Sequence, residues 1–206
     1  MATKQQKDHF IDTIAPIIQR EAFARGYHIC SPIIAQACVE SKYGLSGLSA
    51  KYHNYFGLKC GSKWKGPSVN MKTKEEYQKG QLSTIRDNFR VFKDMEEGVK
   101  GYFDFINTKR YANLKDAATP QQYLERIRAD GYATSFTYVT TNMKCIKENG
   151  LISYDSRPYK TIDEIAQEVI DGKWGNGMER RARLTDAGFN YAMVQQTVNR
   201  ILKGGQ

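Results

Sequence analysis

The segment SPIIAQACVESKYG, residues 31–44, predicts the central helix of a mainly helical protein. Ser31 is a good N-cap residue, and Pro32 suits the first helical position. The residues that follow are apolar nearly all round the helix, and Gly44 marks its end. A surface helix would carry one broad polar face, so this pattern indicates a helix that is buried on most sides.

Glu40 lies near the C-terminal end of this predicted helix, one turn after Gln36. Apolar neighbours and the negative end of the helix dipole both disfavour a charged carboxylate, so we expect a raised pKa for Glu40. A general acid needs that property near neutral pH. The alternative is an exposed glutamate at a helix end without a catalytic role.

Further helices are predicted around this segment, at residues 5–25, 95–107, 119–129 and 136–148. Residues 67–93 instead show two short extended segments around a charged turn, which predicts a β-hairpin. Glu75 and Glu76 lie on this hairpin, and only one of them can face a given side because adjacent strand residues point to opposite faces. The expected fold class is mainly α (α+β).

The C-terminal part forms a second unit in this prediction. A linker is expected at residues 153–159, and Thr161 with Glu164 forms a capping box that opens a helix to about residue 170. Two more helices follow, at about 178–187 and 190–203. We therefore expect a domain at 1–152, a linker at 153–159 and a three-helix unit at 160–206.

Positive charge is concentrated in the first part of the chain. The 206 residues carry a net charge of +9, of which residues 160–206 contribute only +1. Such a surface favours a polyanion, either nucleic acid, an anionic membrane surface or an anionic wall polymer. The basic segments contain no nucleic-acid-binding motif, so nucleic acid is not the expected partner.

Several other classes are disfavoured by what the sequence lacks. No apolar run reaches the length of a membrane span, and the first ten residues do not resemble a signal peptide, so we expect synthesis in the cytoplasm. The four cysteines form no CxxC pair and the three histidines are scattered, so we expect neither a metal site nor a cofactor. Cys38 is predicted to be a buried, reduced thiol.

Several aromatic residues lie in loops or at element ends, where they could line a glycan-binding cleft. They include Tyr52, Tyr55, Phe56, Trp64, Tyr132 and Tyr138. Aromatic rings pack against the apolar faces of sugars, but the same residues also fill protein cores, and composition alone leaves both readings open.

Four motifs in order resemble glycoside hydrolase family 73, the bacterial and phage endo-β-N-acetylglucosaminidases. ACVESKYG at 37–44 resembles the family motif LESGWG, and NYFGLK at 54–59 resembles NNLFGIK. EEYQKG with FRVF resembles the family hairpin, and GYAT at 131–134 resembles its YATD stretch. Two departures are Lys42–Tyr43 in place of Gly-Trp and Ser135–Phe136 in place of Asp-Pro.

This resemblance implies a lysozyme-like helical lobe and a small hairpin lobe that cleave the β-1,4 bond between N-acetylglucosamine and N-acetylmuramic acid in peptidoglycan. It places the acid at Glu40 and a second carboxylate at Glu76, with Glu75 as the rival position. Tyr132 would hold the substrate or assist its N-acetyl group. The residues implied to line the cleft are Asn54, Tyr55, Phe56 and Tyr138.

Residues 160–203 resemble the Cpl-type cell-wall-binding repeat of phage lysozymes, through TIDEIAQEVIDGKWGNG, ERRARL and AGFNYAMVQQTVNRIL. The residues implied to contact the wall are Trp174, Asn176, Arg180 and Tyr191; Trp174 and Tyr191 can equally be core residues of a small helical cap. Together the two units resemble a phage endolysin that reaches the wall through holes in the host membrane. The alternatives are a muramidase or transglycosylase on the same fold and a non-catalytic wall-binding protein.

Overall fold

The computed structural model describes residues 2–78, 80–155, 160, 162–187 and 189–204; the side chains of 74–78, 82 and 186 are outside the described part as well. The chain divides into two compact units, Met1–Arg157 and Pro158–Gln206. Each unit has a hydrophobic core of its own.

The first unit is a helical lobe with one antiparallel hairpin. Its described α-helices are α1 (Lys4–Ala24), α2 (Ser31–Ser41), α3 (Gly47–Tyr52), α4 (Met95–Ile106), α5 (Pro120–Ala129) and α6 (Tyr138–Glu148). Strands β1 (Ser68–Gln78) and β2 (Gln81–Arg90) form the hairpin, and short 3-10 helices cover Lys109–Leu114 and Leu151–Tyr154. The predicted mainly α fold with a small hairpin is confirmed, whereas α3 and both 3-10 helices were not predicted.

Helix α2 lies at the centre of this lobe. All its residues from Ser31 to Cys38 are buried, and it contacts α1, α5 and α6. Burial on all sides follows from a sequence that is apolar nearly all round the helix. The predicted central helix is confirmed.

The N-terminus of α2 is capped differently from the prediction. Cys30 is the N-cap and makes no side-chain capping bond. Instead the backbone N–H groups of Cys30 and Ser31 donate to Asp155 Oδ1 at 2.7 and 2.6 Å, and Ser31 Oγ donates to Asp155 Oδ2 at 2.7 Å. A carboxylate at a helix N-terminus satisfies these donors and interacts favourably with the helix dipole.

The predicted linker at 153–159 therefore starts too early. Besides the bonds to Asp155, Gln19 Nε2 donates to the backbone carbonyl of Tyr154 at 2.7 Å. These contacts place residues 154 and 155 in the first unit, and residues 156–159 are outside the described part.

The second unit consists, in its described residues, of α7 (Ile162–Ile170), α8 (Gly177–Asp186) and α9 (Tyr191–Leu202). Its buried core residues are Ile165, Ala166, Val169, Leu184, Val194 and Val198. The Asn190 side chain caps α9 by accepting from Met193 N at 3.2 Å. The predicted three-helix arrangement is confirmed; Thr161 of the predicted capping box is outside the described residues.

The four cysteines, all within the described ranges, are free thiols, and the predicted buried thiol at Cys38 is confirmed. Burial raises the pKa of the Cys30 thiol to about 12. Over the described residues, no helix combines the length and apolar character that crossing a membrane requires.

Candidate active site

Glu40 lies in the last turn of α2, where this buried helix reaches the surface of the lobe. The helix is buried through Cys38, but the Glu40 side chain in the last turn is exposed. The expected apolar surroundings are therefore not found around the Glu40 side chain, which lies on the exposed side of the last turn, whereas Ser41 beside it is buried. The result is a carboxyl group that solvent and a ligand can reach, on a helix whose position is fixed by core packing.

The chain turns sharply after Glu40. Lys42, Tyr43 and Gly44 all have left-handed backbone conformations, with φ of 54°, 57° and 78°. The Tyr43 side chain anchors the turn to α6, since its hydroxyl lies 3.6 Å from Cys145 Sγ and accepts from Asn149 Nδ2 at 3.2 Å. These contacts fix the end of α2 and so the position of Glu40.

A glycine at position 42 should stabilise the protein, because a left-handed conformation is unfavourable for lysine and not for glycine. We expect Lys42→Gly to raise the free energy of unfolding by about 0.5 kcal/mol, after allowing for the larger entropy of the unfolded glycine chain. Urea unfolding monitored by circular dichroism measures the change. Lys42→Ala is the matched control, since it removes the same side chain but keeps the strain. If alanine stabilises as much as glycine, the backbone conformation is not the cause.

A second loop passes directly beside the Glu40 carboxylate. Gly57 has φ of +64°, and a Cβ atom placed on it would lie 3.5 Å from Glu40 Oε2. The loop is held by Asn54, whose Nδ2 donates to the backbone carbonyls of Leu58 and Arg90, both at 2.9 Å. Leu58 N donates back to Asn54 Oδ1 at 2.9 Å. The NYFGLK segment thus brings backbone, rather than side chain, against the acid.

Two tyrosines complete the surroundings of Glu40. Tyr132 and Tyr138 have ring centroids 6.1 Å apart, and the Tyr132 hydroxyl donates to the backbone carbonyl of Phe56 at 2.6 Å. The pKa of both tyrosines is raised well above the ordinary value, mainly because the hydroxyl groups are buried. Nearby groups, including the negative charge of Glu40, raise it further. Both hydroxyls therefore stay protonated beside the carboxylate.

Below them, a buried hydrogen-bond chain fixes Tyr138. Gln36 Nε2 donates to the Tyr138 hydroxyl, while Gln36 Oε1 accepts from the Tyr102 hydroxyl at 2.8 Å. Gln36 is fully buried one turn before Glu40. The prediction used Gln36 only to define a helix face and missed its role; the signal available was a polar residue in an otherwise apolar helix.

The residues predicted to line the cleft are mostly buried. The Tyr55 ring packs against Phe10 with the ring centroids 5.8 Å apart, and the Phe56 ring stacks on Tyr102 with the centroids 4.1 Å apart. The exposed fractions are 1% for Asn54, 6% for Tyr55, 1% for Phe56 and 5% for Tyr138. These side chains therefore leave little exposed surface for a sugar, and their place in the lining of the cleft stays a prediction. Tyr132, which is half-buried, keeps some surface.

Tyr132 connects this site to the hairpin. Its ring centroid lies 6.0 Å from that of Phe105. The Arg90 guanidinium carbon lies 5.2 Å from the Phe105 centroid and 4.6 Å from the Trp64 centroid. Arg90 is the last residue of β2 and pairs with Ser68. The hairpin face that carries Arg90 therefore begins next to Phe105, whose ring packs against Tyr132 beside Glu40.

The second predicted carboxylate lies on this hairpin. Glu75 pairs with Ser83 and Glu76 with Leu82 in the backbone register, but the side chains at 74–78 are outside the described part, so their contacts stay predictions. By strand alternation, position 76 shares its face with Arg90, and position 75 has the parity of Met71 on the other face.

In the second unit, the four predicted wall-contacting residues differ in exposure. The Trp174 ring packs edge-on against Phe189 at 5.8 Å, and its indole N–H donates to Glu168 Oε2 at 3.1 Å. Arg180 donates to Gly175 O at 3.0 Å and to Asn176 Oδ1 at 2.9 Å. Trp174, Arg180 and Tyr191 are half-buried and Asn176 is exposed. Trp174, Asn176 and Arg180 thus lie around one glycine-rich turn.

Comparison with known proteins agrees with this geometry. The family model described as mannosyl-glycoprotein endo-beta-N-acetylglucosaminidase matches residues 15–151, and the CW_7 repeat matches residues 163–202. Exo-glucosaminidase LytG of Bacillus subtilis (strain 168) is 30% identical over 95% of this chain and 72% of that protein. The lysozyme of Streptococcus phage Cp-7 is 49% identical over 42 residues, which are 20% of this chain and 12% of that protein.

A solved structure supports the same assignment. The crystal structure of a peptidoglycan hydrolase mutant from Sphingomonas sp. A1 superimposes with a TM-score of 0.63 and 28% identity, over 71% of this chain and 96% of that one. The family match covers the central helix, the Gly57 loop, the hairpin and both tyrosines beside Glu40. The chain therefore belongs to the glucosaminidase family of glycoside hydrolases, and it carries a CW_7 repeat after that domain.

Proposed function

We propose that the first unit hydrolyses bacterial peptidoglycan at the β-1,4 bond between N-acetylglucosamine and N-acetylmuramic acid. The observation that carries the proposal is the position of Glu40, an exposed carboxyl group at the end of a buried helix, with the Gly57 backbone on one side and Tyr132 nearby. In its protonated form Glu40 donates its proton to the leaving sugar oxygen.

The hairpin supplies the second carboxylate in this proposal. Glu76 has the parity of Arg90, whose guanidinium contacts the ring that packs on Tyr132. That parity supports Glu76 over Glu75. Tyr132 holds the substrate between the two lobes, and its protonated hydroxyl lies close enough to Glu40 to respond to that charge.

The pattern of cleavage separates two forms of the proposed activity. The matching family model is described as an endo-enzyme, whereas the relative LytG is named an exo-glucosaminidase. Because we propose an endo-acting enzyme, purified peptidoglycan should release fragments of several disaccharides early in digestion. Size-exclusion chromatography of the early products measures this. If only single sugars are released early, the enzyme is exo-acting. If no soluble product forms, the protein is a non-catalytic wall-binding protein.

For the second unit we propose binding to the wall, through the turn around Trp174, Asn176 and Arg180 and through Tyr191. Tethering the catalytic unit to an insoluble polymer raises its local concentration there. The pairing of a glucosaminidase domain with a CW_7 repeat, which resembles a segment of a phage lysozyme, supports action as an endolysin at the host wall. The excess positive charge of the first unit supports additional attraction to anionic wall polymers.

The two contributions to wall binding should differ in their response to salt. Residues 160–206 have nearly balanced charge, so their binding should change little between low and high ionic strength. Binding by residues 1–159 should weaken as salt rises, because exposed charges are screened beyond about 8 Å at physiological salt. Co-sedimentation of each fragment with purified wall at both salt concentrations measures this. If residues 160–206 do not sediment with the wall at any salt concentration, this unit is a structural cap. If they bind only at low salt, their binding is a nonspecific charge effect.

A further inference from the structure

One face of the hairpin carries two positively charged side chains at directly opposite, solvent-exposed positions. Lys72 and Arg86 are direct cross-strand partners, and both are exposed. Like charges at directly opposite positions destabilise a strand pair. Arg86 also donates to Asn70 Oδ1 at 2.9 Å, and Asn70 Nδ2 donates to Asn88 Oδ1 at 2.9 Å. The fold thus keeps an unfavourable charge pair within an ordered polar row.

Arg90 continues this row toward the site. It has the same strand parity as Arg86, and its guanidinium lies close to both the Trp64 and the Phe105 ring. Its Nε donates to the backbone carbonyl of Lys59 at 3.1 Å. These contacts hold the guanidinium near the end of the hairpin. A planar guanidinium offers paired N–H groups that match the two oxygens of a carboxylate.

We propose that Lys72, Arg86 and Arg90 form an anion subsite, the hairpin strip, which binds carboxylates of the peptides carried by the glycan substrate. The inference rests on the proposed peptidoglycan hydrolysis and adds a preference for peptide-bearing over bare glycan. Through Phe105 and Tyr132 the strip is connected to the surroundings of Glu40. An anion bound there would therefore belong to the same glycan chain that is cleaved at Glu40. Acidic peptides on alternate sugars meet that condition better than a separate phosphate polymer.

The test uses the full chain with Lys72→Gln and Arg86→Gln combined. Steady-state kinetics are measured on soluble peptidoglycan fragments and on the same fragments after an amidase has removed the peptides and the lactyl carboxyl groups that this frees have been converted to amides. We expect KM on peptide-bearing fragments to rise about fivefold, the size of two exposed charge contacts, with kcat within about twofold. The KM on bare glycan should be unchanged, and thermal stability should be equal or higher because the opposed charges are gone.

Lys144→Gln combined with Lys147→Gln is the matched control, since it removes two exposed charges from α6. It should leave both KM values unchanged. An equal rise in KM on both substrates, or the same effect in the control, overturns the peptide subsite. So does an effect confined to walls that retain phosphate polymers. Wild-type protein that cleaves neither substrate would overturn the proposed function itself, and the subsite with it.

Discussion

Replacing Glu40 by glutamine should lower the hydrolysis of purified peptidoglycan at least about a hundredfold, the low end for the loss of a general acid. The amide cannot protonate the leaving oxygen, whereas the helix that carries it should remain intact. Glu40 is exposed, and α2 is held by its buried residues, so thermal unfolding should be nearly unchanged. The loss should appear in kcat, because the proton is transferred in the bond-breaking step.

Glu148→Gln provides the matched control for this substitution. Glu148 is likewise an exposed glutamate in the last turn of a helix, α6, and its ion pair with Lys144 at 3.7 Å is solvent-exposed. Exposed pairs of this kind contribute little to stability. The control should keep wild-type turnover. A Glu40→Gln protein with near-normal turnover would show that another group supplies the proton.

Glu76→Gln should be the second most damaging substitution, with at least about tenfold less activity than Glu75→Gln. The two residues are adjacent on β1, so they have nearly the same sequence context but lie on opposite faces of the strand. The face shared with Arg90 begins beside Phe105, whose ring packs on Tyr132 next to Glu40. Initial rates on purified wall, with circular dichroism as the check on folding, measure the difference.

Glu75→Gln serves as the internal control for that comparison. If Glu75→Gln is the more damaging, the cleft is lined by the face of Met71 and our assignment is off by one residue. If neither substitution changes the rate, a two-carboxylate mechanism is wrong. Attack by the N-acetyl group of the substrate would then be the better account.

Local sequence signals were sufficient to predict most helices. Thr119 before Pro120 and Asn190 before α9 both act as N-caps, accepting from Gln122 N and Met193 N at 3.2 Å in each case. The signal failed at Ser31, where the cap comes from Asp155, a residue 124 positions away. Such a contact depends on the tertiary fold and has no local pattern to reveal it.

Burial was the least predictable property of the site. The apolar pattern around residues 31–38 correctly predicted a central helix, but it did not show that the lobe surface lies at Glu40. Likewise Tyr55 and Phe56 look like binding residues in a polar loop, yet the loop folds inward and packs them against Phe10 and Tyr102. Aromatic residues serve cores and ligands equally well, so their sequence position alone does not decide between the two.

The measurement that tests the central claim most directly is the identity of the sugar at each new reducing end. Purified peptidoglycan is digested with the wild-type chain and with Glu40→Gln, reduced with borohydride and analysed by mass spectrometry. We predict reduced N-acetylglucosamine at the new ends with the wild type, and almost none with Glu40→Gln. Reduced N-acetylmuramic acid would identify a muramidase and an anhydro-sugar a transglycosylase, and either product would contradict the proposed function.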